Sequence, residues 1–358
     1  MKRKYLLLII ILFMCLFLFS TPYLALIPGD FGSAGGGPPD GVVDFEDLMI
    51  FAMAYGSTPS DGNWNLLCDA YPDNVIDFED LMVFAMHYGE FLVHNLNKDT
   101  YYNTIQAALD DADSGNTIEV SKGTYTGSIT FPSDKAIILK SVNGPGKAVI
   151  IGDDDSETVY CNSPEDITLE GLYIKHLTGE TGRGITTIGG IAYTGHMIIN
   201  DCDIAHNSVG DGRGGGIENY GRLTITDSNI CYNSAYLGGG IHNETSGELT
   251  IINSSLWDNS DDGMAGSMGG AINNDPEGKL SITGSLIDFN SASEGGGIFL
   301  YSETNVTIGG SSIDDTDNFN NFRDNYETGF APSASQHIRN ASGDCHASYP
   351  YNNFTPGP

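Results

Sequence analysis

Four aspartates, Asp69, Asp73, Asp77 and Asp80, fall at positions one, five, nine and twelve of a short loop, with the carbonyl of Val75 at position seven. Oxygens at that spacing suit a hard cation. Alternate residues of a tightly wound loop turn their oxygens inward, and the last carboxylate closes the shell from the adjoining helix. The arrangement also occurs upstream. Asp40, Asp44 and Asp47, with the carbonyl of Val42, repeat it in DGVVDFEDLMIFAMAYG (40–56), which matches DNVIDFEDLMVFAMHYG (73–89). The first half of the earlier loop, DFGSAGGGPP, is expanded, so Asp30 reaches position one only if the Gly/Pro stretch loops out. Gly41 suits the sharp turn at position six, where Asn74 of the second copy has to adopt a left-handed conformation.

A second group of chemistry-bearing residues lies in the variable stretches GETGRGITTI (179–188), SVGDGRG (208–214), SDDGMAGSM (260–268) and SASE (291–294). Inserted at one point of successive repeats, these stretches line one edge, where Glu180, Arg183, Asp211, Arg213, Asp261 and Asp262 face a common ligand. Sugar elimination would give the base role to Arg213 or Arg183 and cation ligation to Asp211, Asp261 and Asp262. The carboxylate pair or trio of a sugar hydrolase does not assemble as a set. Solvated polar turns have the same Gly/Asp-rich composition and are the simpler reading. His176, His196, His206 and His242 fall at different repeat positions and read as hydrogen-bonded surface residues.

The hydrophobic pattern sets the elements that position these residues. Each acidic loop leads into apolar residues at helical spacing (Leu48, Phe51, Ala52, Tyr55; Leu81, Phe84, Ala85, Tyr88), predicting one short amphipathic helix per copy, and neither helix buries its face alone. Ile105, Ala108, Leu109 and Ala112 predict a further helix that caps a run of alternating strands. One short strand then returns as ITL at 167, MII at 197, LTI at 223 and 249, LSI at 280 and VTI at 306. Inward apolar residues come after each at Ile174, Ile204, Ile230, Leu256, Ile287 and Ile313, and four of these precede Asn207, Asn233, Asn259 and Asn290. Such a period, with two or three strands per repeat, predicts a β-solenoid in which each coil buries its face against the next. Glycines in GGI (189–191), GGGI (214, 238, 295) and GGAI (269) are expected at corners, with the asparagines stacked as ladders and sharing the positive φ.

Composition bounds the class. With 15 Lys+Arg against 47 Asp+Glu, the formal charge of -32 repels nucleic acid and anionic membranes. The basic start and apolar run of residues 1–27 predict a signal peptide or N-terminal membrane anchor, and hence a secreted or cell-surface protein. Cys68, Cys161, Cys202, Cys231 and Cys345 form no CxxC pair and read as small buried residues.

Residues 28–92 resemble a type I dockerin, and the resemblance implies calcium as cofactor and a cohesin-like scaffold as partner. The family usually carries Ser or Thr at the two recognition positions, where this chain has Phe45 and Glu46, and Phe78 and Glu79. Residues 98–325 resemble the pectin-lyase-like right-handed parallel β-helix superfamily, with GG[AG]I and [ILF]xxN elements similar to polymorphic outer-membrane protein and adhesin repeats. The expected molecule is mainly β: a dockerin-like, EF-hand-like calcium module before a right-handed parallel β-helix, with a tail at 326–358. It is expected to bind extracellular polysaccharide or surface partners. The alternatives are a polysaccharide lyase or glycoside hydrolase acting on pectin-like or uronic-acid polymers and a structural or adhesive envelope protein.

Overall fold

The computed structural model describes residues 27–32, 37–152, 157–177, 182–187, 195–261, 266–302 and 304–309, and the backbone of four further short strands between 321 and 355. The N-terminal segment 1–26, Ile313 and Cys345 lie outside the described residues. No helix among those described is long and apolar enough to cross a membrane.

Most of the chain is a parallel β-solenoid. Three sheets of ten, nine and eight strands run along it, each strand pairing with its counterpart one coil away, and the pairing is parallel except at the first strands, Val93–Asn95 and Thr100–Tyr102. The register stacks like on like. Leu139, Leu169, Ile199, Ile225, Ile251, Ile282 and Ile308 form one inward column in the first sheet. Ile150, Ile174, Ile204, Ile230, Leu256 and Ile287 form another in the second. These side chains are buried, and each contributes about 1.5–3 kcal/mol by leaving water. Parallel pairing continues past residue 325, where Ile338–Asn340 lies on Ile298–Leu300 and Asn353–Thr355 on Asn321–Arg323.

Polar ladders hold the corners. The amide Nδ2 of Asn207 donates to Oδ1 of Asn233 at 2.9 Å, Asn233 to Asn259 at 3.0 Å, and Asn259 to Asn290 at 3.0 Å. The expected positive φ falls one residue earlier, on His206, Tyr232, Asp258 and Phe289, because the turn itself lies there and the asparagine supplies the inward amide. A second ladder joins Asn219, Asn243 and Asn274 at 2.8 and 2.7 Å. A third is built of hydroxyls, with Ser228, Ser254 and Ser285 each accepting the backbone N–H of the coil before.

In the described glycine corners, positive φ is confined to the first glycine, at Gly214, Gly238, Gly269 and Gly295, while the GGI stretch at 189–191 lies outside the described residues. The next glycine is there for room. A Cβ on Gly239 would overlap the Ser260 carbonyl oxygen and stand 2.7 Å from that of Gly270.

The two helices predicted after the acidic loops are Phe45–Ala54 and Phe78–His87. Phe51 and Phe84 are buried as expected, but Ala52, Tyr55, Ala85 and Tyr88 are exposed. The inward face is completed instead by Phe31, whose ring stacks on both Phe51 and Phe84 at 5.9 and 6.0 Å. This pair of helices shares one continuous core with the solenoid. Backbone bonds from Val43 N to Glu90 O and from Leu92 N to Gly41 O tie the first acidic loop to the chain entering the first coil. Helix Ile105–Asp111, with Thr104 as its N-cap, buries Ile105, Ala108 and Leu109 in the same core.

Replacing Gly239 by valine is expected to destabilise the protein by about 3 kcal/mol through overpacking of the coil interface, whereas Ser260→Ala changes little. Chemical denaturation of both variants checks this, and equal midpoints would contradict the assigned corner.

Candidate functional site

The two acidic loops take the same form position by position. In the second, Asp69 accepts the N–H groups of Asp73 and Asn74 at 3.2 Å each, and Asp80 accepts those of Tyr71 and Asp77 at 2.7 and 2.8 Å. In the first, Asp47 accepts Phe31 N at 2.6 Å and Asp44 N at 2.9 Å, while Asp30 accepts Gly41 N at 2.9 Å. Asp30 thus takes the place in its loop that Asp69 takes in the other, with the Gly/Pro stretch between. Gly41 and Asn74 both have positive φ, as the sharp turn requires. Asp40 and Asp73 accept from Val42 N and Val75 N, and Asp44 and Asp77 cap the helices by accepting from Glu46 N and Glu79 N. Val42 faces Phe91 in an antiparallel bridge whose hydrogen bonds come from the flanking residues, which leaves the Val42 carbonyl to the loop.

Electrostatics in the first loop fit a cation. Asp30 is buried, its Oδ1 has no hydrogen-bond partner, and burial together with the charges of Asp47 and Asp40 pushes its carboxyl up to about 7. Burial and neighbouring carboxylate charge of this kind are what a hard cation relieves, although no three carboxylates of either loop bring their oxygens within 4.8 Å of one another.

A second constellation lies on the outer face of the third sheet. The middle residues of its strands form one column, Thr186, Glu218, His242, Asn273 and Phe299, one per coil. Strand alternation turns these residues away from the Ile217–Ile241–Ile272 column, yet all are buried. The Arg183 guanidinium pairs with Glu218 at 2.8 Å and donates to Thr186 Oγ1 at 3.1 Å. Tyr220 donates to Glu218 at 2.9 Å. One coil on, Arg213 pairs with Glu244 at 2.7 Å. His242 Nε2 stands 3.3 Å from Glu244 Oε1 and 3.7 Å from Asp275 Oδ1. The His242 imidazole and the Arg213 guanidinium hold the Glu244 carboxyl down at about 2, while burial raises that of Asp275.

Of the residues expected to share a ligand, Arg183 and Arg213 do come to one place, and Arg183 also donates to the carbonyl oxygen of Arg213 at 3.0 Å. Asp211 is exposed on its turn, and Asp261 is tied down by the hydroxyls of Ser267 and Ser293. Glu180 and Asp262 lie outside the described residues. The stretches do stack at one edge, through parallel bridges joining Arg213, Leu237, Met268 and Glu294. Sequence reasoning missed Glu218, His242, Glu244, Asn273 and Asp275. Each stands one or three residues after the isoleucine of a glycine corner, in GIEN, GIHNE and AINND, so aligning the corners exposes the column. His196 is hydrogen-bonded to Thr224 Oγ1 at 2.8 Å and His206 is exposed, but His176 and His242 are buried, correcting their reading as surface residues.

No family model matches the chain, and no curated protein matches it. Among solved structures it is similar to a pectin methylesterase from Yersinia enterocolitica, at 13% identity over 72% of this chain and 91% of that chain, with a TM-score of 0.37. The fold assignment stands on the strand pairing described above.

Calcium added to metal-free protein is expected to raise its melting temperature by several degrees, since a cation held only by the folded loops stabilises by mass action. Asp47→Asn and Asp80→Asn should each remove about half of the gain. A wild-type melting curve indifferent to calcium would contradict cation binding in the loops.

Proposed function

We propose that this is an exported protein that binds extracellular polysaccharide along the outer face of its solenoid, with calcium stabilising the module at the N-terminal end. The observation that carries the reading is an aromatic strip beside the second sheet. The rings of His206 and Tyr232 stack at 5.0 Å with planes 4° apart, and Tyr232 meets Trp257 edge-on at 4.6 Å. Tyr232 and Phe289 are about half exposed. These residues stand on successive coils, and coils stacked at the usual strand spacing of about 4.8 Å make a ledge of rings. Asp203 and Asn229, hydrogen-bonded at 2.7 Å, border it with exposed polar groups. A sugar ring has the complementary surface, an apolar C–H face within a rim of hydroxyls. Exposed aromatic rows of this kind are unusual on a surface without a partner.

The net charge of -32 favours neutral glycans over polyanions, and uronic-acid polymers would need bridging cations.

The N-terminal module supplies a second surface. Phe45, Met49 and Met53 on one helix, and Phe78, Met82 and Met86 at the matching places on the other, are exposed to about half or more. A duplicated apolar face of this kind supports docking to a cohesin-like scaffold or another cell-surface partner.

Tyr232→Ala combined with Trp257→Ala is expected to weaken retention by a neutral glycan in affinity electrophoresis about tenfold, near 1.4 kcal/mol, the scale of a lost aromatic contact. Retention equal to wild type would remove the strip from the binding surface.

A further inference from the structure

We infer that His242, Glu244 and Asp275 form a site for a divalent transition metal of the zinc class, separate from the acidic loops and from the aromatic strip. Among the described residues this trio alone brings ligand atoms of His, Cys, Asp or Glu side chains within 4.8 Å of one another in a group of three. The His242–Glu244 spacing matches a metal shell, with Asp275 a few tenths of an ångström farther out. Ligands at about 2.0–2.1 Å from a tetrahedral zinc stand about 3.3–3.4 Å apart, and His242 Nε2 is 3.3 Å from Glu244 Oε1 and 3.7 Å from Asp275 Oδ1.

Two buried side chains independently point to a missing ligand. His242 is fully buried and neither ring nitrogen has a hydrogen-bond partner, since the approach to Glu244 lacks hydrogen-bond alignment. Asn273, its register partner on the next coil, is also fully buried, and neither its Oδ1 nor its Nδ2 is satisfied. Native interiors rarely leave a neighbouring imidazole and amide both unpaired. A cation on Nε2 satisfies that ring nitrogen, and Asn273 stands in register with His242 on the next coil.

The groups around the trio are arranged as outer-shell supports. Arg213 Nη1 holds Glu244 Oε1, the same oxygen that faces His242, at 2.7 Å, Thr245 Oγ1 donates to Asp275 Oδ2 at 3.3 Å, and the backbone N–H groups of Glu244 and Asp275 are fixed to the carbonyls of Asn219 and Asn243. Ligating carboxylates are characteristically held in this way. Imidazole nitrogen selects against calcium and magnesium, which take oxygen ligands, and in favour of zinc, iron, nickel or copper. The metal would bridge two successive coils, with His242 and Glu244 from one and Asp275 from the next.

Cobalt(II), competed by zinc, tests the site in the full chain held in excess calcium so that the acidic loops are filled. The expected result is about one cobalt per chain with a visible absorption band that zinc abolishes. His242→Asn and Asp275→Asn should each weaken binding at least about tenfold, while Asp80→Asn leaves it intact. Asparagine already occupies the His242 column at Asn273, so the first substitution suits the fold, and circular dichroism verifies it. Glu244→Gln, which keeps an acceptor for Arg213, is a second variant should either of the others unfold. Absence of a band in the folded wild-type protein overturns the inference, as does a band that persists in the folded variants.

Discussion

A buried asparagine at a solenoid corner has an amide that must both give and accept hydrogen bonds, and its own coil does not supply them all. Asn233 donates to Asn259 of the next coil and to the Ile204 carbonyl of the coil before, and its Oδ1 receives both Nδ2 and backbone N–H of Asn207. Leaving such a group unpaired costs about 1–3 kcal/mol. Each coil is therefore completed only by its neighbours, and the stack holds its register because a slip would break the Asn207–Asn290 ladder, the Asn219–Asn274 ladder and the serine ladder together.

That constraint on the inside leaves the outside free to vary. Inward positions repeat isoleucine and asparagine, while the adjacent outward column of the third sheet changes from Thr186 to Glu218, His242, Asn273 and Phe299. Because the backbone under this column is locked, side chains about a coil apart in sequence meet at fixed distances. Arg183 reaches Glu218, Arg213 reaches Glu244, and His242 faces Asp275. The second sheet does the same with aromatic rings, where the coil spacing stacks His206 on Tyr232 and sets Tyr232 edge-on to Trp257. A repeat fold of this type is a rigid frame on which unrelated chemistry can be mounted column by column.

The acidic module obeys a different logic. Its carboxylates are gathered by local turns, and their mutual repulsion is offset in part by backbone N–H groups aimed at Asp30, Asp47, Asp69 and Asp80. Phe31, stacked between Phe51 and Phe84, joins the two repeats into one unit. Continuity of the core from Phe84 through Leu92 and Val93 into the first coil makes the module a cap on the solenoid, so order in the acidic loops bears on how firmly that end is closed.

Local and periodic information was legible in the chain itself. The turn demands of Gly41 and Asn74, the helices after each loop, the inward isoleucine columns and the Asn207–Asn290 ladder are set by residue type and spacing, because each depends on neighbours in sequence or on the next equivalent repeat. Tertiary structure alone decided that Asp30 closes the first loop across the Gly/Pro stretch, that Phe31 rather than Tyr55 and Tyr88 fills the module core, and that His242, Glu244 and Asp275 converge. Those contacts run between residues with different roles in their repeats. Periodicity identifies the face on which a residue lies, but coverage of that face depends on the side chains and stretches flanking each corner, and only their three-dimensional stacking brings Arg213 and Thr245 into support of one buried cluster.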